Sequence, residues 1–161
     1  MRVALIDDLT ADLEAARTAF LAALDGVTQE QFVRRPPGDV GDGEERWPIR
    51  DVCWHVGQYD DLQRRVILAA SEGRALPAND PTHRPAYLNT PDLLREWLAQ
   101  SRRTLVVLAT RLDEDTLNRE FEGAAGRTMT ARGILKWVAQ HERNHIAQVE
   151  TLRALPPTEE R

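Results

Sequence analysis

Apolar residues recur every three to four positions in four long stretches of this chain, and each stretch predicts an amphipathic helix. The predicted helices run from about Val3 to Leu24, from Pro48 to about Ser71, from Pro91 to about Arg111 and from Thr130 to about Leu155. No stretch shows the strict alternation of apolar and polar residues that is typical of a strand. The pattern therefore predicts an all-α fold, a four-helix bundle, with residues 1–161 as one domain.

Proline and glycine mark the connections between these helices. Residues 34–43 contain both residue types, residues 74–90 contain several prolines, and each connection is long enough to cross over the bundle. His83 lies in the second of these loops, where we expect it to be solvated. A third connection, residues 113–129, is predicted to hold a short helical turn near residues 115–118.

Composition and charge narrow the classes of partner. The 42% hydrophobic and 29% charged residues are ordinary for a globular protein. Acidic residues arrive too early for a secretory signal, no apolar run could cross a bilayer, and the single cysteine, Cys53, suits a reducing cytoplasm. A net charge of −5 without a basic stripe argues against nucleic acid. We therefore expect a cytoplasmic protein with neither a membrane nor a nucleic-acid partner.

Three of the four histidines fall on apolar helix faces. His141 and His145 are spaced i, i+4 on the fourth predicted helix, so their rings project in the same direction. His55 takes a similar place on the second helix. One such histidine is usually a core residue with a hydrogen-bond partner, but three on facing stripes can share a divalent cation. The spacing therefore favours a catalytic metal site between the second and fourth helices, with coordination positions left open.

Several neighbours could support such a site. Asp51 lies one turn before His55, and Gln148 lies almost one turn after His145, so either could orient a ring or touch a ligand. For Gln148, a hydrogen bond to a neighbouring helix is an equal alternative. Tyr59 is a candidate for positioning substrate. Cys53 points to another face than His55 and is interpreted as a packed small residue.

The segment from His141 to His145 also fits the His-Glu-x-x-His pattern of zinc peptidases, in which Glu142 would be the general base. The extended form of that pattern needs glycine at 148 and histidine at 151, where this chain has Gln148 and Thr151. Glu142 lies off the predicted apolar stripe, which includes Trp137, and we expect Glu142 to face solvent. The peptidase interpretation is therefore the weaker alternative.

Two segments resemble the DinB-like superfamily of metal-binding four-helix bundles. They are residues 47–55 (WPIRDVCWH) and residues 141–148 (HERNHIAQ). In that family a Trp-Ser/Thr-x-x-Asp/Glu opening leads to the first metal histidine, and a His-x-x-x-His pair supplies the other two. His55, His141 and His145 match these positions, whereas Pro48 departs from the usual serine or threonine.

This resemblance implies an up-down-down-up topology with long crossover loops, a homodimer and a divalent metal, zinc or nickel before iron or manganese. Its characterised relatives include transferases and isomerases that use a low-molecular-weight thiol, and the arginine-rich composition favours mycothiol. We therefore expect a metal-dependent S-transferase or hydrolase acting on a small-molecule substrate, with Tyr59, Gln148 and Glu142 as catalytic candidates. The alternative is a non-enzymatic, stress-associated bundle for ligand binding or dimerisation, whose metal is structural or absent.

Overall fold

Four long helices dominate the structure and confirm the predicted all-α bundle. The structure, a computed structural model, describes residues 2–38, 43–78 and 83–156. Parts of two predicted loops, residues 39–42 and 79–82, lie outside the described residues. The long helices are α1 (Arg2–Ala23), α3 (Ile49–Ser71), α4 (Pro91–Arg111) and α6 (Ala131–Arg153), and the short ones are α2 (Gln29–Val33) and α5 (Glu114–Asn118).

The helices begin where the sequence signals place them. The Thr90 hydroxyl accepts a hydrogen bond from the Leu93 N–H at the start of α4, and the Thr130 hydroxyl accepts one from the Gly133 N–H at the start of α6. Each hydroxyl satisfies one N–H that the first helical turn leaves without a backbone partner. Pro48 occupies the cap position of α3, one residue before the first turn in which it was expected.

The long helices pack as a ring of four. Helix α1 packs against α4 and α6, and α3 packs against the same two helices. Because α1 and α3 are not a main packing pair, the chain must cross the bundle between them. Trp137, which was expected in the buried stripe of α6, is 52% exposed. No helix in the described part of the chain is both long and apolar enough to cross a membrane.

The short elements are the part of the fold that periodicity does not reveal. Helix α2 begins at a capping box formed by Thr28 and Gln31, which was not recognised in the sequence. A 3-10 turn covers Glu44–Arg46. A small antiparallel hairpin pairs two strands of two residues each, β1 (Phe121–Glu122) and β2 (Thr128–Met129). These segments are too short for a repeating apolar pattern. The turn at Glu44–Arg46 matters most, because it lies beside the predicted site.

Charged residues from all four long helices meet inside the bundle. Arg17 and Arg102 alternate with Asp60 and Glu142, and each of the four is at most 3% exposed. Asp60 Oδ2 lies 2.9 Å from both Arg17 Nη2 and Arg102 Nε, while the two Glu142 oxygens each lie 2.5 Å from one of the same guanidiniums. We call these four residues the ion quartet. Its charges sum to zero, which makes their burial tolerable.

Candidate metal centre

Three imidazoles converge between α3 and α6. The Nε2 atom of His141 lies 3.1 Å from Nε2 of His55 and 3.2 Å from Nε2 of His145. One ring nitrogen from each histidine lies within 4.8 Å of the other two. The i, i+4 spacing on α6 brings two of the rings together, and the packing of α3 on α6 adds the third.

The tautomer of His145 follows from its neighbour Gln148. The Gln148 amide Nε2 donates to the backbone carbonyl of Glu44 at 2.7 Å, and a carbonyl can only accept. The Gln148 Oε1 therefore faces His145 Nδ1, at 2.7 Å, and that nitrogen must carry the proton. In the neutral ring, the lone pair of His145 consequently lies on Nε2 and points into the cluster.

Burial keeps the other two imidazoles neutral. Desolvation, reinforced by His145, lowers the pKa of His55 to about 4. Desolvation also lowers the pKa of His141 to about 3, with His145 and His55 adding to the effect. Neutral imidazoles keep the lone pairs that bind metal, so neither ring has to lose a proton at neutral pH to become a ligand.

Three neutral rings cannot satisfy each other in this arrangement. His145 Nε2 offers a lone pair, so His141 Nε2 would have to carry a proton to make a favourable contact with it. That single N–H cannot also point at His55, so one of the two short contacts brings together nitrogens that do not complement each other. A shared cation would resolve the conflict. Two nitrogens about 2.05 Å from one ion lie roughly 2.9 Å apart at a right angle and about 3.3 Å apart at the tetrahedral angle, so the separations of 3.1 and 3.2 Å match those of two ligands on one ion.

Two predicted neighbours, Tyr59 and Asp51, take different roles. The Tyr59 ring stacks on His141, with centroids 4.1 Å apart. Burial raises the pKa of its hydroxyl, and a hydrogen bond from Trp137 opposes that shift. Both aromatic residues line a cleft of about 430 Å³. Asp51, which was expected to orient a histidine, has its Oδ1 paired with Arg84 Nε at 2.9 Å.

Glu142 is not a solvated residue, and that prediction is wrong. It is 1% exposed, and both carboxylate oxygens receive guanidinium N–H groups in the ion quartet. A carboxylate engaged in this way is poorly placed to accept a proton from substrate, which weakens the peptidase interpretation. Cys53 is fully buried as expected, and burial raises the pKa of its thiol to about 12. It therefore stays protonated at neutral pH.

Sequence reasoning missed two features beside the histidines. The Glu44 carboxylate lies 4.0 Å from His55 Nε2 and is 60% exposed. A cleft of about 660 Å³ also opens at His55. We call it the arginine cleft, because its lining includes four arginines beside two tryptophans: Arg35, Arg46, Arg50, Arg84, Trp47 and Trp54. In the sequence, the arginine cleft is indicated only by arginines that cluster in and around the loops on either side of α3. These residues share no helical periodicity that would place them on one face.

Comparison with solved structures identifies the fold. A conserved protein from Enterococcus faecalis matches with a TM-score of 0.67 at 15% identity, over 95% of this chain and 96% of that chain. The colibactin self-resistance protein ClbS, crystallised in complex with double-stranded DNA, matches with a TM-score of 0.70 at 11% identity, over 94% of this chain and 96% of that chain. Likeness at these identities shows a shared architecture.

The ClbS complex corrects the predicted partners. Net charge led to the exclusion of nucleic acid, with a small-molecule substrate and a homodimer expected instead. A protein of this fold has been crystallised with double-stranded DNA, so an exclusion based on charge is wrong. The physical reason is that net charge averages over the whole surface, whereas arginines concentrate in one cleft here. The comparisons support neither the small-molecule substrate nor the homodimer.

Sequence comparison agrees with the fold. No curated protein matches this chain. The family model of the DinB superfamily, however, matches residues 12–149, which include all four long helices in whole or in part and all three clustered histidines. The chain therefore belongs to the DinB superfamily.

Proposed function

We propose that this protein is a divalent-metal-dependent enzyme in which His55, His141 and His145 hold the ion through Nε2. The observation that carries the proposal is the pair of short Nε2 contacts, 3.1 and 3.2 Å, which neutral rings alone cannot satisfy. Zinc or nickel suits three imidazoles, with iron or manganese as alternatives. The reaction class is S-transfer from a low-molecular-weight thiol such as mycothiol, or hydrolysis.

The surrounding residues divide into positioning and reacting groups. Gln148 is a positioning residue, because its carbonyl oxygen fixes the tautomer of His145. Tyr59 supports the His141 ring by stacking. A bound divalent ion supplies Lewis acidity, which lowers the pKa of a water or thiol beside it. Glu44 places a carboxylate 4.0 Å from His55 Nε2, where it can accept the proton that such a nucleophile releases.

Metal analysis of tag-free protein tests the proposal. We expect about one equivalent of metal in the wild type, and a loss of most of it in His145→Ala. His83→Ala is the matched control, since His83 is exposed and lies outside the cluster. Metal that is substoichiometric in the wild type, or indifferent to the His145 substitution, would refute the proposed site. One equivalent of metal without turnover of any thiol or hydrolytic substrate would favour the non-enzymatic alternative, in which chelation changes only the melting temperature.

A second candidate function is nucleic-acid binding. The observation that favours it is the ClbS structure with double-stranded DNA, on the same fold at a TM-score of 0.70. Fluorescence anisotropy with a labelled DNA duplex tests it directly. Binding that weakens steeply with added salt is expected from phosphate contacts, and the absence of binding at low salt would remove this candidate.

A further inference from the structure

The arginine cleft carries a local charge opposite to that of the chain. His55 is part of its lining, so the cleft reaches one of the three clustered histidines. Its charged lining residues are Arg35, Arg46, Arg50, Arg84 and Asp51. Four guanidiniums against one carboxylate is a strong positive excess in a chain of net charge −5. Such a concentration of arginine is suited to binding an oxyanion.

The arginines of the cleft differ in how many of their guanidinium N–H groups have hydrogen-bond acceptors within the protein. Arg84 donates to Asp51 and to the carbonyl of Leu88, so its charge is balanced and its position fixed. Arg50 donates through Nη1 to Asn89, but its Nε is buried and has no hydrogen-bond partner in the described part of the chain. The Asp51 carboxylate is 3.8 Å from that Nε, which is too far for a hydrogen bond. The protein therefore satisfies the Arg50 guanidinium only in part, and because the side chain is still 22% exposed, an anion in the cleft can contact its accessible part and balance its charge.

Aromatic rings lie beside these cations. Trp47 and Trp54 line the arginine cleft, and the Trp47 ring centroid lies 5.0 Å from that of His55. Trp54 stacks on Trp97 with centroids 4.9 Å apart, which limits its movement. Fixed indole rings next to guanidinium groups favour a ligand that combines a flat ring with an anion. Tryptophan and arginine together are typical of sites that stack bases and contact phosphate.

The start of α3 adds to the positive potential. Four lining residues (Trp47, Arg50, Asp51 and Trp54) belong to the first turns of this helix or directly precede it. Pro48 occupies the cap position and no side chain caps the helix. The partial positive charge of the helix start therefore lies at the same cleft as the arginines, and both attract an anion.

We infer that the arginine cleft binds a nucleotide unit, with its phosphate on Arg50 and its base against the tryptophans, and holds it beside the three histidines. The inference rests on the proposed function, because it names the substrate class of that centre. The unit belongs either to a free nucleotide or to a nucleic-acid strand, and both sources present the same phosphate and base.

Binding measurements separate these sources and test the inference. Calorimetry on zinc-loaded protein compares thymidylate with thymidine, which lacks the phosphate, and anisotropy follows a short labelled single-stranded DNA. We expect thymidylate to bind at least about tenfold more tightly than thymidine, and Arg50→Gln to remove that difference. Arg65→Gln is the matched control on the same helix, because Arg65 is exposed and pairs with Asp61. It should change binding less than about twofold.

Each outcome decides the inference. A strand that binds more than about tenfold tighter than thymidylate identifies nucleic acid as the source, and equal or weaker binding identifies a free nucleotide. Equal binding of thymidylate and thymidine, or an equal loss in Arg50→Gln and Arg65→Gln, would overturn the inference. Arg46→Gln, at the cleft and away from the helix, repeats the test if Arg50→Gln does not fold. Metal analysis of the same samples keeps the two proposals apart. A protein that distinguishes thymidylate from thymidine but holds no stoichiometric metal overturns only the proposed metal function, whereas one that holds metal but does not distinguish them overturns only the inference about the cleft.

Discussion

Replacing Glu142 by glutamine is the sharpest test of how the bundle holds its charged interior. The substitution keeps the shape of the side chain but removes one of two negative charges in the ion quartet. Arg17 and Arg102 would then face Asp60 alone, with a buried excess of one positive charge. The amide has one oxygen for two guanidiniums, so its NH₂ group would meet an N–H donor at one of the two 2.5 Å contacts.

The expected loss of stability is large. Removing one partner of a buried ion pair typically costs about 3–5 kcal/mol, because the remaining charge is left uncompensated away from water. All four residues are at most 3% exposed, so solvent screening gives little relief. In a protein of this size that loss corresponds to a decrease in melting temperature of roughly 6–20 °C.

Urea and thermal unfolding of metal-free protein measure the effect. Glu150→Gln is the control, since Glu150 is exposed on the same helix and the chemical change is identical. We expect the control to lie within about 0.5 kcal/mol of the wild type. A Glu142→Gln protein as stable as this control would refute the reasoning about the quartet. A protein of full stability that lost peptide hydrolysis would instead revive the peptidase interpretation.

The three histidines and the packing of α3 allow three further predictions. Gln148→Leu should lower zinc affinity about 10–100-fold, because His145 loses the acceptor that fixes its tautomer, while Gln140→Leu on the exposed face should not; competition with a chelator measures both. Burial lowers the pKa of His55 to about 4 and of His141 to about 3, so zinc binding at pH 6 should displace no proton from either; calorimetry in two buffers that shows two or more protons released would contradict this. Zinc affinity should therefore lose the contribution of these two rings only as pH falls towards 4. Gly57→Ala should destabilise by about 1–3 kcal/mol despite better helix propensity, because the new Cβ would lie 2.2 Å from an indole nitrogen, and urea unfolding that shows added stability would be the contrary result.

The approach of the three imidazoles could be predicted because it depends on local geometry. His141 and His145 share a face in any α-helix, and a bundle needs only one adjacent helix to bring His55 to them. The bounds of the long helices were predictable for similar reasons, since Thr90 and Thr130 leave clear start signals. Glu142 was misjudged although the periodicity contained the answer. Counted by steps of three and four from Val138, it occupies the buried stripe of α6.

The arginine cleft and the ion quartet lay beyond the reach of pattern reasoning. Both depend on which helices pack together and where the loops pass, and periodicity within one helix does not show which residues meet. Arg17 and Arg102 each occupy an apolar stripe, as Glu142 does, so each looks like an isolated exception. Only the bundle shows that these exceptions compensate one another. The sequence therefore shows that a charged residue occupies a core position, but it does not show which residue on another helix pairs with it.

The position of the quartet beside the histidines has a structural consequence. Glu142 follows His141 directly, so the two side chains leave α6 about 100° apart, one towards the arginines and the other towards α3. Turning or sliding α6 enough to separate His141 from His55 would therefore pull Glu142 away from both guanidiniums. Buried ion pairs add little stability over apolar replacements, yet in some proteins they fix the alignment of the elements that carry them. We infer that the quartet restricts the rotation and register of α6 and so holds His141 at its 3.1 Å approach to His55.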